Sequence, residues 1–137
     1  MSGLLLDTSI LVGADNPGSL RGGISAASLA ELYFGALVAD DPGERANRTR
    51  RLGVIESAFD PFPLDEAVAR EWGRLAAAVA ERGGQPRRRT MDLVIAATAN
   101  AQGVPLLTLD TADLAIVADL VSLQTPDPPE DQSPAGS

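Results

Sequence analysis

Carboxylates recur in this chain where apolar runs end and helices begin. Asp7 follows Leu4-Leu5-Leu6, and Glu31 lies in the helix-like stretch opened by Ser25-Ala26-Ala27-Ser28. Asp92 follows Arg87-Arg88-Arg89-Thr90-Met91, and Asp110 and Asp113 follow Leu106-Leu107-Thr108. If these acids converge, four separate segments supply oxygen ligands for a hard divalent cation, Mg²⁺ or Mn²⁺ rather than zinc. What the chain lacks points the same way. It has no histidine or cysteine, so no imidazole or thiolate is available as ligand, base or nucleophile. It has no lysine either: all eleven positive side chains are arginine, which removes Schiff-base and Walker-type phosphate chemistry. An acidic oxygen site of this kind suits phosphodiester hydrolysis. The arginine triplet before Asp92 would engage phosphates as guanidinium forks.

Every one of these acids also has a purely structural reading. Asp7 could cap a first helix, and Glu31 stands three residues after Ser28, the spacing of a capping box. Asp92 could complement a helix dipole, and Asp110 with Asp113 could form another cap. Their joint placement separates the two readings. Unpaired like charges at 4 Å repel by on the order of 4 kcal/mol at an effective dielectric of 20. A fold that gathers several therefore needs a cation to offset them.

The elements that would position the acids can be read in outline. Gly83-Gly84 and Pro86 stop a preceding helix, Thr90 can cap a new one, and an almost wholly apolar run follows to Ala99. A helix apolar on nearly every face is a buried helix. Leu4-Leu5-Leu6 taken alone fits strand or helix, and the polar triplet after it favours a strand ending at Asp7. Further short strands are predicted at Ile24-Ser25, Phe62-Pro63-Leu64, Val104 to Thr108 and Leu120 to Leu123. Helices are predicted from Ser28 to about Val38, from Glu44 to Phe59, from a cap at Asp65 to about Arg82, and from Thr90 to near Gly103. A short one opens at Asp110. This alternation predicts an α/β fold with a central parallel sheet flanked by helices. In such sheets ligands bind beyond the carboxyl ends of the strands, where Asp7 and Asp110 fall.

The formal net charge of −8 at first argues against a nucleic-acid partner. Its distribution weakens that objection. Seven of the eleven arginines sit in two runs, Arg45 to Arg51 and Arg87 to Arg89, and three acids, Asp127, Glu130 and Asp131, lie in the tail. Bound divalent ions would offset more of the deficit. No stretch approaches the roughly 18 apolar residues of a membrane span, and Met-Ser-Gly runs straight into a strand-like segment with no leader pattern. A cytoplasmic protein without membrane contact is expected. From Gln124 onward, proline, acids, serine and glycine predict a disordered tail.

The runs Leu-Leu-Leu-Asp7-Thr8-Ser9, Ser25-Ala-Ala-Ser-Leu-Ala-Glu31-Leu, Arg87-Arg-Arg-Thr-Met-Asp92-Leu-Val-Ile-Ala-Ala-Thr98 and Thr108-Leu-Asp110-Thr-Ala-Asp113-Leu resemble the four acidic motifs of PIN domains. More closely, they resemble the VapC ribonuclease toxins of bacterial type II toxin–antitoxin modules. The resemblance implies a PIN-like nuclease domain over residues 1–123, followed by the tail at 124–137. It implies a Mg²⁺- or Mn²⁺-dependent endoribonuclease, cutting tRNA or another structured RNA, usually a homodimer and silenced by a cognate antitoxin.

Asp7, Glu31 and Asp92 match the family's three near-constant acids, and Asp113 matches the fourth. Asp110 stands where the family commonly has asparagine; whether one or both bind metal stays open at this point. Leu109 and Leu114 depart from the family's arginine and phenylalanine. Ser9 and Thr108 are expected to support the site, and Arg87, Arg88 and Arg89 to contact RNA, with Arg45 to Arg51 extending that track. Leu32, Tyr33, Leu37 and Leu52 form an apolar group that is core or dimer surface.

Other acidic α/β folds fit less well. An aspartyl-phosphate phosphatase would want a second acid at Ser9, a receiver domain a lysine, and a dinucleotide fold a glycine-rich turn after the first strand. The alternative from a different class is a non-catalytic PIN-like interaction module whose acids are caps or a structural cation site.

Overall fold

Neighbouring leucines on a strand face opposite sides of its sheet, and here that alternation divides the core in two. The computed structural model describes residues 3–126. In chain order its elements are β1 (Leu5–Leu6), α1 (Thr8–Gly13), α2 (Ala26–Val38), α3 (Pro42–Ala58), α4 (Glu66–Glu81), α5 (Thr90–Gln102), β2 (Leu106–Leu107) and β3 (Leu123–Gln124). Tight 3-10 turns occupy Pro17–Ser19, Pro86–Arg89 and Thr111–Val117. The strands lie in the order β1-β2-β3, all parallel, with Leu5 opposite Leu106 and Leu6 opposite Leu107. Gly23 pairs beside Leu5, and Phe62 beside Ser25, so the two remaining predicted strand positions extend the same sheet as single bridges.

Leu5 and Leu106 are buried with Leu75 and Val79 of α4 and Leu93 and Ile95 of α5. Leu6 is buried on the opposite side with Ile10 and Leu11 of α1 and Ile55 of α3, and Leu107 packs against that second cluster. Helices thus cover both faces of a small parallel sheet, the predicted α/β arrangement. α5 is the core helix that its composition requires: every residue from Leu93 to Ala99 is buried.

Three local expectations need correction. Ser25, not Ser28, caps α2, accepting a hydrogen bond from Ala27 N at 3.0 Å, while Ser28 is fully buried inside the first turn. No Ser28–Glu31 capping box forms. Thr90 is already helical, and its hydroxyl donates back to Arg87 O at 3.0 Å. The last strand lies at Leu123–Gln124 rather than Leu120–Leu123, because Leu120 N–H closes a turn onto Val117 O at 2.8 Å. The expected tail therefore begins inside that strand, and residues 127–137 lie outside the described residues. Asp65 caps α4 as expected, accepting from Val68 N at 3.0 Å, and Asp41 caps α3, accepting from Glu44 N at 2.8 Å.

Three of the four arginines in the first run bond to helix ends. Arg45 donates to Ala39 O at 3.0 Å and Arg48 to Gly35 O at 2.8 Å, at the carboxyl end of α2. Arg51 donates to Leu11 O at 3.0 Å and Ala14 O at 2.7 Å, at the end of α1. Helix carboxyl ends carry orphan carbonyls and a partial negative charge, so guanidiniums satisfy both at once. Three side chains of the expected RNA track are thus bonded at helix ends. The apolar group also divides: Leu52 is buried in the core and Leu32 packs against it, whereas Tyr33 and Leu37 are exposed. Phe34, Leu37 and Val38 make an exposed stripe along α2. Among the described residues, no helix is long and apolar enough to cross a membrane.

Gly22 holds the edge of this sheet together. Its φ is +141°, and a Cβ there would stand 2.9 Å from Leu4 O and 3.0 Å from Leu6 Cγ. The next residue, Gly23, pairs with β1 through a bond from its own N–H to Leu4 O at 2.9 Å and one from Leu6 N–H to Gly23 O at 2.8 Å. Gly22→Ala is expected to lose about 2 kcal/mol of stability, because strain at φ and a backbone clash act together. Urea unfolding of the two proteins measures it. An unchanged midpoint would mean that the edge segment shifts without cost.

Candidate active site

β1 ends at Asp7, whose N–H donates to Leu107 O at 2.9 Å, so the sheet itself fixes this acid. Its side chain is 8% exposed and makes no helix cap, although it stands at the start of α1. Instead its Oδ2 accepts hydrogen bonds from Ser9 Oγ and Thr108 Oγ1, both at 2.8 Å. Thr108 Oγ1 accepts in turn from Asp110 N at 2.9 Å, and Ser9 Oγ from Leu109 N at 3.0 Å. Two hydroxyls thereby tie the first acidic segment to the fourth.

Glu31 sits in the second turn of α2. Thr8 Oγ1 lies 2.6 Å from Glu31 Oε1 and 2.9 Å from Ser28 Oγ. The single Thr8 proton serves the carboxylate, and Ser28 can supply its own proton to Thr8. The sequence reading missed Thr8 and Ser28 as tethers, because a hydroxyl beside an acid in sequence gives no sign of which more distant acid it will meet. Asp92, in the first turn of α5, is half-buried, and its carboxyl is pushed up to about 6. Burial is the largest cause, followed by the charges of Asp113, Glu31, Asp7 and Asp110 in that order. All five predicted acids therefore share one field. Asp113 weighs more on Asp92 than Asp110 does.

Among the described residues, no three acids are drawn into a ready-made ligand cage. Asp7 and Glu31 are each held by hydroxyls of their own surroundings.

The second arginine run divides by surroundings. Arg87 and Arg88 are exposed, and among the described residues neither guanidinium makes a hydrogen bond or an ion pair. Arg89 is partly buried and donates from Nη1 to Asp113 O at 2.7 Å. A groove of about 790 Å³ opens beside Thr8 and Glu31 and runs between α1, α2 and α3, with Val12, Leu32 and Val54 on its walls.

Comparison with known proteins agrees with this architecture. Residues 4–120 match the PIN domain family. The chain is 36% identical over 125 residues to Ribonuclease VapC4 of Mycobacterium tuberculosis, covering 85% of this chain and 92% of that protein. It is 36% identical over 115 residues to Ribonuclease VapC5 of the same organism, covering 77% and 82%. The crystal structure of VapBC-5, a member of the VapBC family of toxin–antitoxin systems from M. tuberculosis, aligns with a TM-score of 0.74 at 31% identity, covering 91% of this chain and 98% of that one. A match that spans all five acids, with relatives alike over most of both lengths, leaves one placement: the chain belongs to the PIN-domain family, within its VapC group.

Proposed function

We propose that this protein is an endoribonuclease of the toxin type that works with Mg²⁺ or Mn²⁺, cuts tRNA or another structured RNA, and is silenced by a cognate antitoxin. The observation that carries this reading is the gathering of acids around Asp92, whose half-buried carboxyl is pushed up to about 6 first by burial and then by four other acids from three other segments. The donor set fits a hard divalent ion. Every ligand on offer is oxygen, and the mutual repulsion is what such a charge would relieve. Asp7, Glu31 and Asp92 would hold the ion with Asp113, and Asp110 stands beside them. When bound, such an ion supplies Lewis acidity towards phosphate and water.

The chain's own residues do the rest. Ser9 and Thr108 hold Asp7 by one oxygen, and Thr8 holds Glu31 by one, so each acid is oriented while its other oxygen remains available. Exposed Arg87 and Arg88 suit phosphate contacts beside these acids, positioning RNA without reading its bases. The ribonuclease names of the relatives support the activity. The antitoxin has support from the VapBC-5 complex and from the apolar stripe on α2, surface that a protein partner or a second copy could cover. A homodimer remains part of the same proposal, resting on the resemblance.

The test is cleavage of total tRNA and other structured RNA by antitoxin-free protein, with Mg²⁺, Mn²⁺ or a chelator. Discrete cuts with either ion and none with chelator are expected. Cuts that persist in chelator would reject the metal. Intact RNA of every class would favour the non-catalytic interaction module instead.

A further inference from the structure

The 3-10 turn Thr111–Val117 carries Asp113 yet has little packing of its own at that end. Asp110, Thr111, Ala112 and Asp113 are all exposed, and Leu114 is the first residue of the turn to reach the core. At the start of the turn, Asp113 N–H bonds back to Asp110 O at 3.1 Å. A tie from a distant segment also reaches this backbone: Arg89 Nη1 donates to Asp113 O at 2.7 Å across 24 residues of sequence. Arg89 immediately precedes α5, the helix whose first turn bears Asp92. The far end of the same segment is tied by Arg82, which donates to Ile116 O at 2.8 Å and pairs with Asp119 at 2.7 Å. Gly84 lies so close beneath it that a Cβ would meet Ile116 Cδ1 at 2.8 Å.

We infer that Arg89 is a positioning residue rather than an RNA contact: its guanidinium straps the backbone of Asp113 to the start of α5 and so sets the distance between the Asp113 and Asp92 carboxylates. The inference rests on the reading of these acids as a divalent-ion site. It splits the arginine triplet into one inward strap, Arg89, and two outward phosphate contacts, Arg87 and Arg88. Arg82 and Arg89 together make the loop before α5 and the fourth acidic segment one unit.

The test is Mn²⁺ binding to RNA-free protein, followed by the electron paramagnetic resonance of free Mn²⁺, with thermal unfolding in chelator run beside it. Arg89→Ala is expected to weaken Mn²⁺ binding about tenfold, the scale at which groups supporting metal ligands act. Its unfolding temperature should stay near that of the wild type, since the lost bond lies at an exposed turn. Arg89→Lys should recover most of the affinity, because one ammonium proton can replace the single bond to the carbonyl. Arg87→Ala and Arg88→Ala should bind Mn²⁺ like the wild type and raise the KM for RNA.

Two results would overturn the inference. If Arg89→Ala binds Mn²⁺ normally and only raises the KM for RNA, Arg89 is a third phosphate contact. If Arg89→Ala and Arg89→Lys lose affinity and thermal stability together, its role is general folding. Asp92→Asn separates this from the wider reading. If that variant binds Mn²⁺ as tightly as the wild type, the ion site itself fails and the strap with it. If only Asp92→Asn loses Mn²⁺, the strap alone is wrong.

Discussion

Asp92→Asn is expected to lower RNA cleavage by about a thousandfold while making the ion-free protein more stable at neutral pH. The loss of activity has the scale of removing a principal electrostatic or acid–base group. The gain in stability follows from the same carboxyl. An ordinary aspartate gives up its proton near 3.8, and Asp92 holds it to about 6 in the folded protein. Between those values the folded state binds the extra proton, so stability falls as pH rises from about 4 to about 6 and stays lower above. Asparagine copies the neutral form and escapes that fall.

Asp92 is half-exposed, so screening reduces the effect to about 1 kcal/mol at pH 7.5, or roughly 3 °C in Tm. The difference should vanish near pH 4, where the wild-type carboxyl is neutral as well. Saturating Mn²⁺ should reverse the order, since binding at about 100 times Kd adds about 2.7 kcal/mol to the wild type alone. Melting curves at both pH values, with chelator and with Mn²⁺, check all of this. Wild-type cleavage by the variant would remove Asp92 from the site. A variant less stable than the wild type in chelator at pH 7.5 would show that neither burial nor the neighbouring acids disfavour the Asp92 charge there.

Ile95→Ala should cost about 2–5 kcal/mol, since Ile95 is 0% exposed and packed between the sheet and α4. Domains of this size are stable by about 5–15 kcal/mol, so one truncation would remove a large share. Ile95→Val deletes a single methylene and should cost only about 1 kcal/mol. Trp72, the only tryptophan, packs against the same cluster and reports unfolding by fluorescence. Urea midpoints should fall in the order wild type, Ile95→Val, Ile95→Ala, at constant m. A loss below about 1 kcal/mol for Ile95→Ala would mean that α5 is not the packing centre. The consequence reaches the site, because Asp92 lies on α5 about one turn before Ile95.

Much of this architecture was legible in one dimension because its causes are local or periodic. The unbroken apolar run after Asp92 has no face to offer water, so α5 had to be the buried helix. Asp65 could satisfy the first N–H groups of α4 from its own side chain, and it does. Short apolar runs alternating with helices imply a parallel sheet, and parallel strands bring their carboxyl ends to one edge. That alone was enough to collect Asp7 and Asp110 on that edge.

The partners of each polar group were another matter. Ser28 and Thr90 had cap-like spacing, but burial of one left the cap of α2 to Ser25, and helical continuation of the other left α5 without a side-chain cap. Thr108 serves Asp7 across 101 residues only because the sheet sets Leu6 opposite Leu107. Arginines that look alike in sequence were sorted by what stood within reach. Three met the carbonyls at the ends of α1 and α2, one met Asp113 O, and Arg87 and Arg88 face outward. Sequence by itself picked out the candidate residues for the chemistry and the sheet edge where they stand, since residue type and period act within a few positions. Tertiary structure decided which hydroxyl orients which acid and which arginine is spent on the fold. A hydrogen bond or a Coulomb term depends on a few ångströms between segments, and only strand register and helix packing set those distances.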